Sequence, residues 1–488
     1  MVDPRETPTV PEPTHGGRQP PWWCNVRALH LASIVLVAAG LRLSSLDSTS
    51  LWYDEVVTMR VARAASPTAL LSRLDQIDGT RAPLHPLVLQ AWLRVIGASD
   101  LAGRSFSALC GLLTLVVIYR LGCQTFDQAT ARWAAWLAAV CPPLVYYARE
   151  ARMYAWLTLL TCISWLVFIS FRRGAKPAHC LVYWLLLTSL VYSHPLGLFM
   201  VAAHGLAFVL VRSSLKLSVR AWLLIQLAVI LAITPWLGRY MDHGTDYPMP
   251  RYSIRFLLAV PIEYVGGNAI VLVICMAIIA IGLLSWRPIG LERRPAIAGA
   301  TENLILITWT ATPPVLMYLY SYLFQPIFGP PRYHLFIAPA YLILLAHGLS
   351  KLPRIVRWPA AAGGLVVSLS LIRADVYSQV VKADWRGLAG WLSRQEQSTD
   401  APGPRQPITV VIHPSDPHFR REQLEAARYY LSPRFRVVVI GDSAEPAATE
   451  PATTYDIDCL TKPNRQPDPK VKAFYGIAAR KRSPSSYN

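Results

Sequence analysis

Apolar positions in this chain run on without alternating. Stretches of near-spanning length recur at 28–46, 105–123, 129–147, 153–171, 181–199, 200–212, 221–238, 264–286, 303–324, 335–350 and 355–373. A helix needs about 20 residues to cross a bilayer core, so the pattern predicts about eleven transmembrane helices. The polar, Pro-rich residues 1–25 read as a disordered tail. With no short basic leader before it, the run at 28–46 reads as a retained first span. The stretch 47–104, about 55 residues, is too long to be a plain turn. Burying its Asp54, Glu55, Arg60 and Arg63 at the bilayer centre would cost roughly 10 kcal/mol in all, so it belongs on a membrane surface. Ser50 is placed to cap a helix starting at Leu51, with Leu51, Trp52, Val56, Met59 and Ala62 as its apolar side. "PLHPLVLQAWLRVIG" supplies a second surface helix from near Pro83, joined to the first by a turn at Asp78-Gly79.

Past Arg373 the pattern changes. "VKADWRGLAGWLSRQ" and "HFRREQLEAARYYL" have helical spacing, whereas "PITVVIHP" and "RFRVVVIGD" read as strands. The expected organisation is a tail at 1–25, a transmembrane domain at 26–375 and a small α/β unit at 376–488. That unit carries no phosphate-cradling glycine pattern, so it reads as structural or accessory.

Composition agrees with a polytopic membrane protein: 53% of residues are hydrophobic and 16% charged, with a mean hydropathy of +0.33. The net charge of +18 would suit a nucleic-acid partner only if the basic residues formed a patch. They instead gather between spans: Arg172, Arg173 and Lys176; Arg212, Lys216 and Arg220; Arg287, Arg293 and Arg294; Lys351, Arg354 and Arg357. These loops alternate and share a side with Arg18 and Arg27, which the positive-inside rule makes cytoplasmic. The amino terminus is then cytoplasmic and the carboxyl-terminal unit extracytoplasmic. The eight cysteines show neither metal-ligand spacing nor a disulfide framework and read as small hydrophobes.

Candidate chemistry gathers on the outer side. Adjacent helical residues point about 100° apart, so Asp54 and Glu55 cannot work as a pair on one bond. Glycoside hydrolysis normally uses two carboxylates. Transfer from a sugar phosphate needs only one base and cations to hold the departing phosphate. In "YYAREARMYAW" (residues 146–156), Arg149 and Arg152 at i,i+3 are expected to converge on one anion, with Tyr147 and Tyr154 at headgroup level. Arg81, His85, Arg104, His194 and Arg332 complete the outer-side candidates. Each also has a plainer reading: a helix-N-terminal acid for Asp54, interfacial anchors for the arginines, an interface histidine for His194.

In this order, "LWYDE", "APLHPLVLQAW", "GRSFSALCG", "PPLVYYAREARMYAW", "SHPLG" and "RYHLFIAPA" resemble the membrane-embedded glycosyltransferases of the GT-C superfamily. The resemblance is in particular to the bacterial branch of lipid A aminoarabinose transferases, rhizobial lipopolysaccharide galacturonosyltransferases and relatives of protein O-mannosyltransferases. It covers residues 28–375 and implies an α-helical polytopic fold of GT-C type in a bacterial inner membrane. It implies a polyprenyl-phosphate-linked sugar as donor, a glycolipid, envelope polysaccharide or protein as acceptor, and inversion at the sugar. Asp54 matches the family's essential aspartate, Glu55 completes its motif, and Arg149, Arg152 and Arg81 would hold the lipid phosphate. The chain departs from the pattern at Arg81-Ala82-Pro83, where relatives often have two prolines preceded by a histidine or lysine. Some distant relatives use a divalent metal and others do not. A lipid-linked-sugar flippase and a non-catalytic envelope assembly protein are the alternatives from other functional classes.

Overall fold

The computed structural model describes residues 26–78, 80–241, 252–284, 298–329, 331–374, 384–397, 408–413, 420–431, 435–439, 454–459, 472–474 and 477–481. The expected tail, Gly79 and the cluster of Arg287, Arg293 and Arg294 lie outside these residues.

The chain is mostly helical. It opens with α1 (Val26–Leu43), α2 (Tyr53–Ala62), α3 (Pro67–Ile77), α4 (Leu84–Ile96), α5 (Asp100–Thr125) and α6 (Gln128–Ala139). It continues with α7 (Pro142–Tyr147), α8 (Tyr154–Ser170), α9 (Pro177–Ser193), α10 (Gly197–Val211), α11 (Val219–Met241) and α12 (Phe256–Glu263). Then come α13 (Ala269–Leu284), α14 (Ala298–Leu323), α15 (Ala338–Lys351), α16 (Arg354–Ile372), α17 (Trp385–Gln397) and α18 (Arg420–Tyr430). Among the described residues, six helices are long and apolar enough to cross a membrane: α5, α10 with the turn after it, α11, α14, α15 with the turn before it, and α16. α1, α8, α9 and α13 are apolar but shorter. The single run expected at 129–147 is broken into α6 and α7, because Pro142 and Pro143 cannot donate into a continuing helix and start a new one instead.

Helix starts follow local chemistry. The side chains of Ser66, Ser99 and Asp127 accept the amides of Ala69, Ala102 and Thr130 at 3.1, 3.0 and 2.7 Å, capping α3, α5 and α6. α5 packs on α8 and α6, α15 on α6 and α13, and α10 on α14. Gly122 lets α5 lie directly on α6, since a β-carbon there would come within 2.6 Å of the Ala131 backbone. The bundle core includes Trp165, Phe168, Tyr183 and Trp309, all fully buried.

The region between α1 and α5 folds as three helices rather than two. α3 was legible in Ser66-Pro67, a capping residue followed by a proline at the first helical position. α2 differs from the expected surface helix. It buries Glu55, Val56, Val57, Thr58, Met59, Val61 and Ala62, because α3, α4 and α18 all pack against it. Ser50 does not cap it either. The helix starts at Tyr53, the Trp52 amide donates to the Glu55 carboxylate at 3.3 Å, and the Ser50 hydroxyl is taken up by Asp384 and the Arg386 amide at 3.3 and 3.0 Å.

After α17, strands β1 (Ile408–His413), β2 (Phe435–Val439), β3 (Thr454–Cys459), β4 (Lys472–Phe474) and β5 (Ile477–Lys481) form a sheet of order β2-β1-β3-β5-β4. β1 runs parallel to β2 and β3, with Val410 opposite Val437 and Tyr455; β5 is antiparallel to β3 and β4. The apolar side of this segment is continuous with the α2 region. Trp385, Leu388, Val410, Ile412 and Ala427 share one buried cluster with Leu51, Val56, Met59, Phe106 and Ala151.

Candidate functional site

Asp54 is the second residue of α2, where an acid suits the helix dipole. Its side chain is 18% exposed, 3.3 Å from Arg332 Nη1 and 3.8 Å from Arg152 Nη2. Arg152 is held from below: its Nη1 donates to the Asp54 carbonyl at 3.1 Å and to the Thr58 hydroxyl at 2.7 Å. Thr58 itself donates to the Asp54 carbonyl at 3.0 Å, one helical turn back. Burial disfavours the Arg152 charge, but Asp54, Tyr154 and Asp78 together raise its pKa above the ordinary value, so it stays protonated. Asp78 is buried, and its Oδ1 accepts both the amide and the hydroxyl of Thr80 at 2.8 Å.

Rings wall the space around these charges. The Arg332 guanidinium lies 5.4 Å from both the Trp52 and Tyr333 ring centroids, and that of Arg152 lies 5.8 Å from Tyr154. Tyr154, His194 and Tyr333 lie 6.1 to 6.5 Å from one another, and Tyr147 stands edge-on to Tyr154 at 5.6 Å. His194 caps α9, and its Nδ1 accepts the Leu196 amide at 3.1 Å. Burial, then the Arg152 and Arg332 charges, push its pKa down to about 3. It is therefore neutral at pH 7 with its proton on Nε2. The buried N–H groups at Trp52 Nε1, Arg152 Nε, Arg332 Nε and His194 Nε2 have no hydrogen-bond partner among the described residues. Two of these N–H groups belong to the guanidiniums themselves, so the surroundings of Asp54 hold buried donors whose hydrogen-bonding capacity is unused.

Other expected members lie elsewhere. Glu55 is 0% exposed and faces away from Asp54. Its carboxylate takes Arg104 Nε and Nη2 at 2.8 and 2.9 Å and the Ala151 amide at 2.9 Å. Arg104, expected among the anion-binding cations, is 1% exposed; besides Glu55 it donates to the carbonyls of Leu46, Thr49 and Ser50 at 2.8–3.0 Å. It ties together the loop before α2 and is spent there. Arg149 and Arg152 do not converge either. Residues 148–153 are turns and bends rather than helix, so i,i+3 spacing gives no shared face. Arg149 donates to the carbonyls of Leu41, Arg42, Ser44 and Ser45, closing the C-terminal end of α1. His85 is buried beside Phe106, and burial, then the Arg152 charge, lowers its pKa to about 3. The structure fixes the backbone of Arg81: φ is +46° and its carbonyl accepts the Trp236 indole N–H at 2.7 Å. A left-handed conformation at a non-glycine residue is strain of a kind found near functional sites.

Thr58, Asp78 and Tyr333 were not anticipated. Thr58 was readable as the i+4 neighbour of Asp54, and Tyr333 as the aromatic next to Arg332. Nothing in the sequence paired Asp78 with Arg152. Among the described residues no group of three or more His, Cys, Asp or Glu side chains is placed to hold a metal ion.

Residues 80–238 match the family model described as dolichyl-phosphate-mannose-protein mannosyltransferase. No curated protein sequence matches the chain significantly. Among solved structures, ArnT from Cupriavidus metallidurans in the apo state is similar with a TM-score of 0.57 and 13% identity, over 94% of this chain and 98% of that one. The same protein bound to undecaprenyl phosphate gives 0.55 and 13%, over 93% and 98%. The archaeal oligosaccharyltransferase AglB from Archaeoglobus fulgidus, in complex with an inhibitory peptide and a dolichol-phosphate, gives 0.50 and 12%. That match covers 85% of this chain, which spans 65% of the AglB chain.

Proposed function

We propose that this chain, a membrane protein of the GT-C superfamily, is an inverting glycosyltransferase that moves one sugar from a polyprenyl-phosphate carrier to an acceptor outside the cytoplasm. The observation that carries this reading is a single carboxylate, Asp54, set between Arg152 and Arg332, with buried N–H donors around them left unpartnered. A lipid phosphodiester carries one negative charge and gains a second when the sugar leaves. Two fixed guanidiniums and neutral N–H donors favour that developing charge over the starting one. The acceptor hydroxyl forms its bond to the anomeric carbon as the bond to the phosphate oxygen breaks, and Asp54 takes the hydroxyl proton. Glu55 holds α2 in place through Arg104 rather than exchanging protons. Undecaprenyl phosphate in ArnT and dolichol-phosphate in AglB support a lipid phosphate as the leaving group here.

The sidedness rests on charge. α8 runs from the Tyr154 end, beside Asp54, to Arg172 and Arg173 at its other end, where Arg172 pairs with Glu302. The Arg172–Arg173 cluster therefore lies at the opposite end of α8 from Asp54, as it would if that end were cytoplasmic. We take the membrane domain to have eleven spans, and the segment after residue 375 to be an extracytoplasmic α/β unit. The transferred group is a hexose or pentose, and the acceptor is a glycolipid, an envelope polysaccharide or a protein. The test is purified protein incubated with a panel of polyprenyl-phosphate sugars and membrane acceptors, with products read by mass spectrometry. Transfer is expected from wild type and none from Asp54→Asn at unchanged thermal stability. Turnover near wild type in Asp54→Asn would sink the assignment.

A further inference from the structure

We infer that the C-terminal segment positions the catalytic base, with Tyr430 as the positioning residue that fixes the backbone leading into Asp54. This rests on the proposed role of Asp54. The Leu51 amide, three residues before Asp54, donates to the Tyr430 hydroxyl at 2.6 Å. That hydroxyl donates in turn to Asp100 Oδ2 at 2.7 Å. Asp100, at the start of α5, also receives Arg386 Nη2 at 2.8 Å on the same oxygen, and the Tyr429 hydroxyl at 2.8 Å and Arg63 Nη2 at 3.4 Å on the other. One carboxylate thus gathers donors from α18, α17 and the end of α2.

Leu51 is fully buried, and its amide precedes the helix, so no intrahelical carbonyl is in register to accept it. Tyr430 supplies the acceptor from 379 residues away in sequence. The rest of the loop is tied in the same way: Ser50 to Asp384 and the Arg386 amide, Asp47 to the Arg386 guanidinium, and Arg60 on α2 to Glu425 on α18. Burial, then Asp100, raises the pKa of both tyrosines, so each keeps the proton it donates. Because the buried cluster spanning α2, α17, α18 and the sheet is continuous, the segment packs directly on the helix that carries Asp54 rather than standing apart from it. Removing it would strip α2 of one of its packing faces.

The experiment uses the full-length protein in detergent or nanodiscs with Tyr430→Phe, which removes only the hydroxyl. Tyr429→Phe is the control, since it also loses a bond to Asp100 but does not touch Leu51. Hydrogen exchange of the Leu51 amide, read by mass spectrometry on the peptide spanning 46–58, reports the clamp without reference to activity. Tyr430→Phe should exchange about tenfold faster there, with kcat about tenfold lower and donor KM within twofold of wild type, the scale of one lost hydrogen bond. Tyr429→Phe should leave that exchange within twofold. Unchanged exchange in Tyr430→Phe, or equal acceleration in both variants, overturns the clamp. Faster exchange with unaltered kcat, or a loss confined to KM, overturns the positioning role. If wild type transfers no sugar, the proposed function fails, and the exchange data still decide whether Tyr430 holds the loop.

Discussion

Replacing Glu55 with glutamine removes one charge and almost no volume. The two oxygens of Glu55 take two nitrogens of Arg104 at 2.8 and 2.9 Å in a site where the side chains are 0% and 2% exposed. Glutamine retains one acceptor oxygen but presents an amide N–H₂ to the second guanidinium nitrogen. Arg104 is then a buried cation without a counter-charge, and losing one partner of a buried pair costs about 3–5 kcal/mol. Part of that loss would appear as disorder at Leu46, Thr49 and Ser50, whose carbonyls Arg104 gathers. Thermal unfolding of the detergent-solubilised protein should show a clear fall in Tm for Glu55→Gln and for Arg104→Met. The double variant should recover part of the loss, because neither charge is then left alone. Transfer by Glu55→Gln should persist at temperatures where the variant is folded. Wild-type stability with abolished transfer would refute the reasoning and return Glu55 to the chemistry.

The remaining expectations divide the arginines and the histidines. Arg152→Ala and Arg332→Ala should each weaken donor binding by about 1.5–3 kcal/mol, roughly 10- to 150-fold, measured by titration with polyprenyl phosphate. Arg149→Ala should leave donor binding near wild type and lower Tm instead, since its bonds close the end of α1; loss of donor affinity there would revive the expected pairing with Arg152. His85 and His194, each with a pKa of about 3 in the folded protein against about 6.5 unfolded, stay neutral when folded but take up protons when unfolded. Their contribution is complete above pH 6.5 and is lost as pH falls toward 3, at about 1.4 kcal/mol per pH unit for each. Tm should therefore drop between pH 6 and 4, and His194→Asn, which keeps an acceptor for the Leu196 amide, should flatten that slope. An unchanged slope would show that His194 does not titrate as stated.

Hydrophobic run length placed most of the bundle, because it depends on local composition alone. That Asp54 and Arg152 lie together was legible for a related reason: the run lengths put the start of α2 and the connection before α8 at the same end of the bundle. What stayed hidden depends on which side chain meets which. The rule that brings i and i+3 together holds only in a helix, and the turn at 148–153 turned Arg149 toward α1 and Arg152 toward α2. Glu55 and Arg104 lie in different elements, so no local spacing signals that each neutralises the other. Ser50 looked like a helix cap because capping is a short-range rule, while its real partners lie more than 330 residues away. The site was readable where it rests on periodicity and obscure where it rests on long-range pairing.

The Leu51–Tyr430 contact also sets a schedule for biogenesis. A ribosome delivers Asp54 to the membrane long before it has made α18, so the loop around the acid waits without its last support while the intervening helices insert. On the proposed orientation, the tail end of the chain must cross the bilayer before Leu51 finds its acceptor. A nascent or truncated chain would then lack this support for the loop before Asp54, and on the proposed role full turnover would wait until translation and translocation were both finished.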